Sequence, residues 1–176
     1  MTRSFEDRLT GGHPNSLGNT VQVVETVLKN PKRFDELFSC YRSDNPIVRL
    51  RTSNAMKRVE AEHHALLVPY IDRFITEIGA LDQASAQWTL AQLFQRLADD
   101  MSPSQRTGAL KIMKRNLAKH EDWIVLNTTL ETLSLWACDT PPLKKWLVPH
   151  LERLSSDSRK SVSKKATKHL QSFNGT

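Results

Sequence analysis

The chain has 176 residues, of which 39% are hydrophobic and 25% charged, with 6 Gly, 8 Pro and 2 Cys. This balance is typical of a globular domain and excludes a disordered chain, a collagen-like chain and a disulfide scaffold. No segment reaches the roughly 18 apolar residues of a membrane-spanning helix, and the first residues lack the apolar core of a secretory signal. We therefore expect a cytoplasmic protein that does not bind membranes.

The formal net charge of +6 is unevenly distributed along the chain. Residues 1–100 hold 12 Lys and Arg against 13 Asp and Glu, whereas residues 101–176 hold 13 against 6. A basic binding surface is therefore expected in the C-terminal part of the chain, if the protein has one.

The first part of the chain contains a polar segment and then two helical patterns. Residues 1–19 are polar and include three glycines and a proline, which predicts a flexible polar leader ending at a helix start near Thr20. Apolar residues at helical spacing follow over 21–28 and 34–41. No run alternates apolar and polar residues as a strand would, so the sequence predicts an all-α fold.

A repeat of about 38 residues organises the rest of the chain. The anchors Val48, Ala86, Val125 and Val162 are 38, 39 and 37 residues apart, and small or apolar residues recur at offsets 4, 7, 8 and 11 from each. At about 100° per residue these offsets form one face of an α-helix. The resulting stripe residues are Thr52, Ala55, Met56 and Val59; Leu90, Leu93, Phe94 and Leu97; Thr129, Thr132, Leu133 and Trp136; and Ala166, His169, Leu170 and Phe173.

A further helix is predicted between successive stripes, over residues 66–79, 105–118 and 143–154. Two of these helices share a near-copy, LVPYIDRF over 67–74 and LVPHLERL over 147–154, separated by 80 residues. A copy at about twice the period favours a repeat over coincidence.

The segment DNPIVRLRTSNAMKRV over 44–59 resembles the second-helix signature of HEAT repeats, in which an Asp turn precedes a Val-Arg pair and spaced Ala and Leu positions. Pro69 and Pro149 are similar to the proline that is common in first helices of that family. The resemblance covers about residues 20–173 and is closest to small HEAT-repeat proteins without an assigned biochemical role. Tetratricopeptide repeats are the main alternative, but their period of about 34 residues and their Trp, Gly and Tyr signature are missing here.

This resemblance implies a right-handed α-solenoid of antiparallel helix pairs, with about four units in a single domain over 20–173. Because one helix pair cannot bury its apolar stripe alone, neighbouring pairs would share a core. The resemblance also places the second helices on the concave side of the solenoid.

Residues about half a turn from the apolar stripe form the predicted binding surface on the second helices. Trp88 is notable because a tryptophan among polar residues is typical of a binding anchor; the alternative is packing against a neighbouring helix. Trp123, Trp136 and Trp146 are expected in the core or in packing between repeats. The predicted partner-binding residues are Arg51, Trp88, Gln92, Gln95, Asn127, Glu131, Lys164 and Lys168.

A basic cluster near the C-terminus is the second candidate. Lys160, Lys164 and Lys168 lie on one helical face and could contact phosphates without reading sequence. The alternative is a solvated polar cap on the last repeat.

Signals for catalysis are weak. The chain lacks a Gly-rich phosphate loop, a Gly-x-Ser-x-Gly elbow and a His-Glu-x-x-His motif. Glu60 and His64 are better interpreted as part of a polar turn than as a metal site, and Cys40 and Cys138 as small apolar fillers. We therefore expect no catalytic residues, cofactor or metal.

The leading hypothesis is a non-enzymatic adaptor that binds a protein partner on its concave face. The first alternative is a nucleic-acid-binding module, similar to HEAT-like DNA-repair proteins, that uses Trp88, Arg51, Lys164 and Lys168. A second alternative is an accessory subunit or chaperone of one enzyme.

Overall fold

The computed structural model describes residues 3–174, and its regular elements in that range are all helical. This confirms the all-α prediction. The α-helices are α1 (Phe5–Leu9), α2 (Thr20–Lys29), α3 (Phe34–Ser39), α4 (Pro46–Glu62), α5 (Ile71–Thr76), α6 (Ala84–Arg96), α7 (Pro103–Lys119), α8 (Trp123–Ala137), α9 (Pro141–Ser155) and α10 (Lys160–Asn174). Short 3-10 helices lie at Pro31–Arg33, Cys40–Arg42, His64–Leu66, Val68–Tyr70, Ile78–Ala80 and Ala98–Asp100.

The chain divides into two compact units, Met1–Thr89 and Leu90–Thr176. The boundary between them falls within α6. The expected single domain over 20–173, and the solenoid arrangement of its repeats, remain predictions.

In the first unit, α4 packs against α2, and α1 contacts α2, α3 and α4. Aromatic rings fill part of this core, because Phe38 stacks edge-on against Tyr41 and Phe74 with ring centroids 5.8 and 5.1 Å apart. Arg73 covers the Phe38 ring at 4.2 Å and is itself held by Glu77 at 2.7 Å. This unit therefore has an aromatic core closed by an ion pair.

The N-terminal segment differs from the predicted flexible leader. Residues Phe5–Leu9 form a helix, capped by the Ser4 hydroxyl, which accepts a hydrogen bond from the Asp7 amide. Phe5 and Leu9 are fully buried, since residues four apart lie on one face of a helix. The glycines that suggested a leader lie beyond this helix, in the exposed stretch 11–19.

In the second unit, α8 contacts α7, α9 and α10, and α9 packs against α10. The α8 N-terminus is capped by Asp122, whose Oδ1 accepts hydrogen bonds from the Ile124 and Val125 amides at 2.8 and 3.0 Å. An Asp in this position satisfies backbone donors that the helix itself cannot.

Burial follows the predicted apolar stripe on three of the four repeat helices. Every stripe residue on α4, α6 and α8 is buried, with Leu93 and Leu133 fully so. On α10, His169 and Leu170 are half-buried, whereas Ala166 and Phe173 are buried.

The predicted continuous helix over 66–79 is wrong. The structure has two 3-10 helices, His64–Leu66 and Val68–Tyr70, followed by α5. Pro69 has no backbone N–H and so cannot make the helical bond to the residue four positions earlier. Pro149, in the matching position of the sequence copy, lies inside α9, so nearly identical segments adopt different backbone structures at the two sites.

Candidate binding site

A polar cavity of about 200 Å³ lies in the second unit, between the C-terminal half of α6 and the middle of α8. The two helices are joined by the Thr132 hydroxyl, which donates to the Ala91 carbonyl at 2.9 Å. Three of the predicted partner-binding residues, Gln92, Gln95 and Glu131, therefore line the same cavity. The cavity is lined by Gln92, Gln95, Arg96, Thr128 and Glu131.

Two buried amide oxygens of α6 and α8 have no hydrogen-bond donor among residues 3–174. They are Oε1 of Gln92, which lines the cavity, and Oδ1 of Asn127, which does not. A buried oxygen without a donor loses about 1–3 kcal/mol relative to a hydrogen-bonded one. The Gln92 oxygen is therefore an unpaired acceptor beside the cavity.

Glu131 is held in its ionised form by α10. Lys165 Nζ donates a hydrogen bond to Glu131 Oε2, and this bond lowers the pKa of the Glu131 carboxyl, with further lowering by the charges of His169 and Lys168. Burial lowers the pKa of His169, and the Glu131 carboxylate opposes that shift. At neutral pH the site therefore presents a carboxylate bordered by lysines.

The lysines of the predicted basic cluster are all exposed. Lys160, Lys164 and Lys168 lie along α10 at four-residue spacing. Of these, Lys168 is close enough to Glu131 to contribute to its pKa shift. The C-terminal cluster thus borders the acidic group of the cavity.

Arg51 does not belong to this surface, contrary to the sequence-based prediction. Its side chain is buried in the first unit, with 2% exposure, because the N-terminal segment closes over it. Its guanidinium donates hydrogen bonds to the backbone carbonyls of Leu9, Gly11, His13 and Ser16. Arg51 therefore stabilises the fold and is not available to a partner.

The tryptophans also differ from expectation in part. Trp88 on α6 is half-buried. Its exposure is therefore intermediate between the two predicted alternatives, an exposed binding anchor and a residue packed against a neighbouring helix. Trp136 is 6% exposed, as expected for the core, but Trp123 is 49% exposed. Trp123 is the first residue of α8, where the helix end leaves it without a covering neighbour.

Three residues of the site are absent from the predicted partner-binding set: Arg96, Thr128 and Lys165. Thr128 and Lys165 both lie three residues after a repeat anchor, at the edge of the apolar stripe. This position was not among the predicted contact positions, because a side chain there points neither into the core nor directly away from it. Lining positions of a cavity between two helices occupy this flank.

Glu60 and His64, predicted to lie in a polar turn, are not part of the polar cavity. His64 Nδ1 lies 2.8 Å from Glu60 Oε1, and within residues 3–174 no three His, Cys, Asp or Glu side chains are grouped so as to hold a metal ion. In the same part of the chain, no helix combines the length and apolar character needed to cross a membrane.

Comparison with family models, curated proteins and solved structures finds no match to this chain.

Proposed function

We propose that this chain is a non-enzymatic protein-interaction adaptor of the cytoplasm, built as a right-handed HEAT-like α-solenoid. Its partner would bind at the polar cavity between α6 and α8, with Gln92, Gln95 and Glu131 as contacts.

The observation that carries this proposal is the unpaired Gln92 Oε1 in a cavity of about 200 Å³. A polypeptide supplies N–H donors along its whole length, so it can offer one to this oxygen. Phosphate groups supply acceptors only. A cavity whose unpaired atoms are acceptors is therefore matched better by a peptide than by a nucleic-acid backbone.

The surrounding charges support an ordered contact surface. Since Lys165 fixes the Glu131 carboxylate, neither side chain must be ordered anew when a partner binds. Groups that are already in place lose less conformational entropy on association. The ion pair therefore supports a defined rather than an adaptable contact.

Affinity chromatography followed by calorimetry tests this function. Immobilised wild type should retain a cellular protein that Gln92→Ala and Glu131→Gln lose, while Gln22→Ala, an exposed glutamine on α2, retains it. With the purified partner, Gln92→Ala should raise Kd at least about tenfold.

Loss of the partner in the Gln22→Ala control, or equal retention by all variants, would contradict the assignment of the cavity. Each variant should keep the wild-type melting temperature within the small shift of a surface change. A fold defect is thereby separated from a binding defect.

Nucleic-acid binding is the second candidate function, favoured by the exposed Lys160, Lys164 and Lys168 on one face of α10. Fluorescence anisotropy with single-stranded and duplex oligonucleotides tests it at low and physiological salt. Binding that falls steeply with salt, and that is lost when the three lysines become Glu, supports this function. Absence of binding at both salt concentrations rejects it.

A further inference from the structure

A second cavity, of about 270 Å³, lies among α7, α8 and α9 in the second unit. Its walls are apolar and include Pro103, Leu110 and Leu143, together with the indole of Trp136. Arg106 and Thr107 of α7 complete the lining. The cavity thus combines an apolar interior with one cationic side chain.

The Arg106 guanidinium is half-buried and incompletely hydrogen bonded. Its Cζ lies 4.1 Å from the centroid of the Trp136 ring, and its Nη1 donates to the Ala98 carbonyl at 3.4 Å, near the upper limit for a hydrogen bond. Within residues 3–174 no carboxylate forms an ion pair with Arg106. The edge formed by Nε and Nη2 therefore has no protein acceptor in the described chain.

The same edge is occupied in two other arginines of this molecule. Arg33 donates from Nε and Nη2 to the Glu36 carboxylate at 2.7 and 2.8 Å. Arg159 donates from Nε and Nη2 to the Asp157 carboxylate at 2.8 and 2.7 Å. A carboxylate matches this planar pair of donors in both spacing and charge.

We propose that the cavity beside Arg106 binds a small organic acid, with its carboxylate on the Nε and Nη2 edge of Arg106 and its apolar body against Leu110, Leu143 and Trp136. Apolar walls with few polar groups are the usual construction of a small-molecule site. A volume of about 270 Å³ is near the lower end of the roughly 300–1,000 Å³ of such sites. It suits a small molecule rather than a helix of a protein partner. This site is separate from the polar cavity and does not depend on the adaptor function.

Ligand-observed NMR and calorimetry with 4-phenylbutyrate test the carboxylate requirement. 4-Phenylbutanamide, which has the same apolar body without the charge, is the matched ligand. We expect 4-phenylbutyrate to bind wild type at least about tenfold more tightly than the amide, because hydrogen bonds to a charged group are stronger than neutral ones.

Three variants locate the site. Arg106→Gln and Arg106→Lys should each weaken 4-phenylbutyrate binding about tenfold or more, since neither keeps the paired donors. Thr107→Phe, at an exposed position of the lining, should block binding by filling the cavity. Lys111→Gln, an exposed lysine on the same helix, should bind as wild type does.

Several results would overturn the proposal. They are the absence of 4-phenylbutyrate binding to wild type, equal affinity for the acid and the amide, and unchanged affinity in folded Arg106→Lys or Thr107→Phe. Melting curves of each variant establish that it is folded. Because Thr107 is exposed, its variant keeps the test decisive even if Arg106→Gln is unstable.

Discussion

The buried guanidinium of Arg51 is the side chain that ties the N-terminal segment to α4. A buried charge is stable only when its donors are satisfied, and here backbone carbonyls of the segment 9–16 satisfy them. The carbonyls of Gly11, His13 and Ser16 belong to an exposed stretch, so water can replace the guanidinium there if it is removed, whereas Leu9 is buried. The arrangement therefore stabilises the segment locally.

Replacing Arg51 by Met should lower the free energy of unfolding by about 1.5–3 kcal/mol, the contribution of hydrogen bonds to a charged group. Arg58→Met, an exposed arginine on the same helix, should stay within about 0.5 kcal/mol of wild type. Urea unfolding measures both changes. Equal effects of the two substitutions would show that the contacts of Arg51 do not stabilise the fold.

Gly18 packs directly against the Arg51 guanidinium. Its φ is +52°, and a Cβ there would lie 2.8 Å from Arg51 Cζ, whereas Gly11 at φ +81° has nothing within 4 Å. Left-handed backbone costs a side-chain-bearing residue about 1–2 kcal/mol at either position. Gly18→Ala should therefore destabilise the protein clearly more than Gly11→Ala in urea unfolding, and equal losses would argue against the close contact.

Asp157 gives the clearest pH dependence. Hydrogen bonds from the Arg159 side chain and backbone lower the pKa of the Asp157 carboxyl from 3.8 to about 2. Because the pKa is lower in the folded than in the unfolded state, the stabilisation is complete above about pH 4 and is lost as the pH falls toward 2. The stability difference between wild type and Asp157→Asn should shrink from pH 7 to pH 3; a difference independent of pH would contradict this.

At the scale of the helices, the repeat register was readable from the sequence because it occurs four times. Stripe positions such as Leu93 and Leu133 are buried as the period predicts. The hydrogen bonds between Arg51 and the N-terminal segment could not be predicted from the pattern, because they join residues 35 to 42 positions apart and occur once. Likewise, Pro69 lies in a 3-10 helix and Pro149 inside an α-helix, although the two sequence copies are nearly identical.

The candidate site was likewise predicted only in part from the sequence. Periodicity selected Gln92, Gln95 and Glu131, which meet at the cavity, since their common phase faces away from the core. Arg96, Thr128 and Lys165 depend on how two helices are joined, and one helix pattern does not contain that information. The pattern of a single helix therefore predicts only part of the lining of a cavity between neighbouring helices.

Two leucines of α8 test the register directly. Leu133 is fully buried and Leu135 is 48% exposed, although they lie two residues apart. Leu133→Ala should destabilise the protein by about 2–5 kcal/mol, and Leu135→Ala by less than about 0.5 kcal/mol. Chemical denaturation of both variants measures this, and similar losses would contradict the register.

For the whole molecule, the excess of basic residues lies in one of the two compact units. The unit Met1–Thr89 holds 11 Lys and Arg and 11 Asp and Glu, whereas Leu90–Thr176 holds 14 and 8. The basic excess that sequence analysis located in the C-terminal part therefore belongs to the unit with both cavities. Anionic partners or ligands should be attracted to this unit.

Thiol labelling tests whether the two units unfold together. Cys40 lies buried in the first unit, where burial raises its pKa to about 12, and Cys138 is exposed in the second. Since α6 carries residues of both units, we expect cooperative unfolding. Leu133→Ala should then accelerate labelling of Cys40 as well as lower global stability. Unchanged Cys40 labelling would show independent units and reject the single domain over 20–173.

The contacts of Arg51 have a consequence for synthesis of the chain. A ribosome releases the carbonyl-bearing residues 9–16 before their guanidinium partner, which follows 35 to 42 residues later. Until α4 has emerged, Phe5 and Leu9 lack part of the surface that buries them. Chaperones that capture exposed apolar residues therefore have that interval in which to bind this segment.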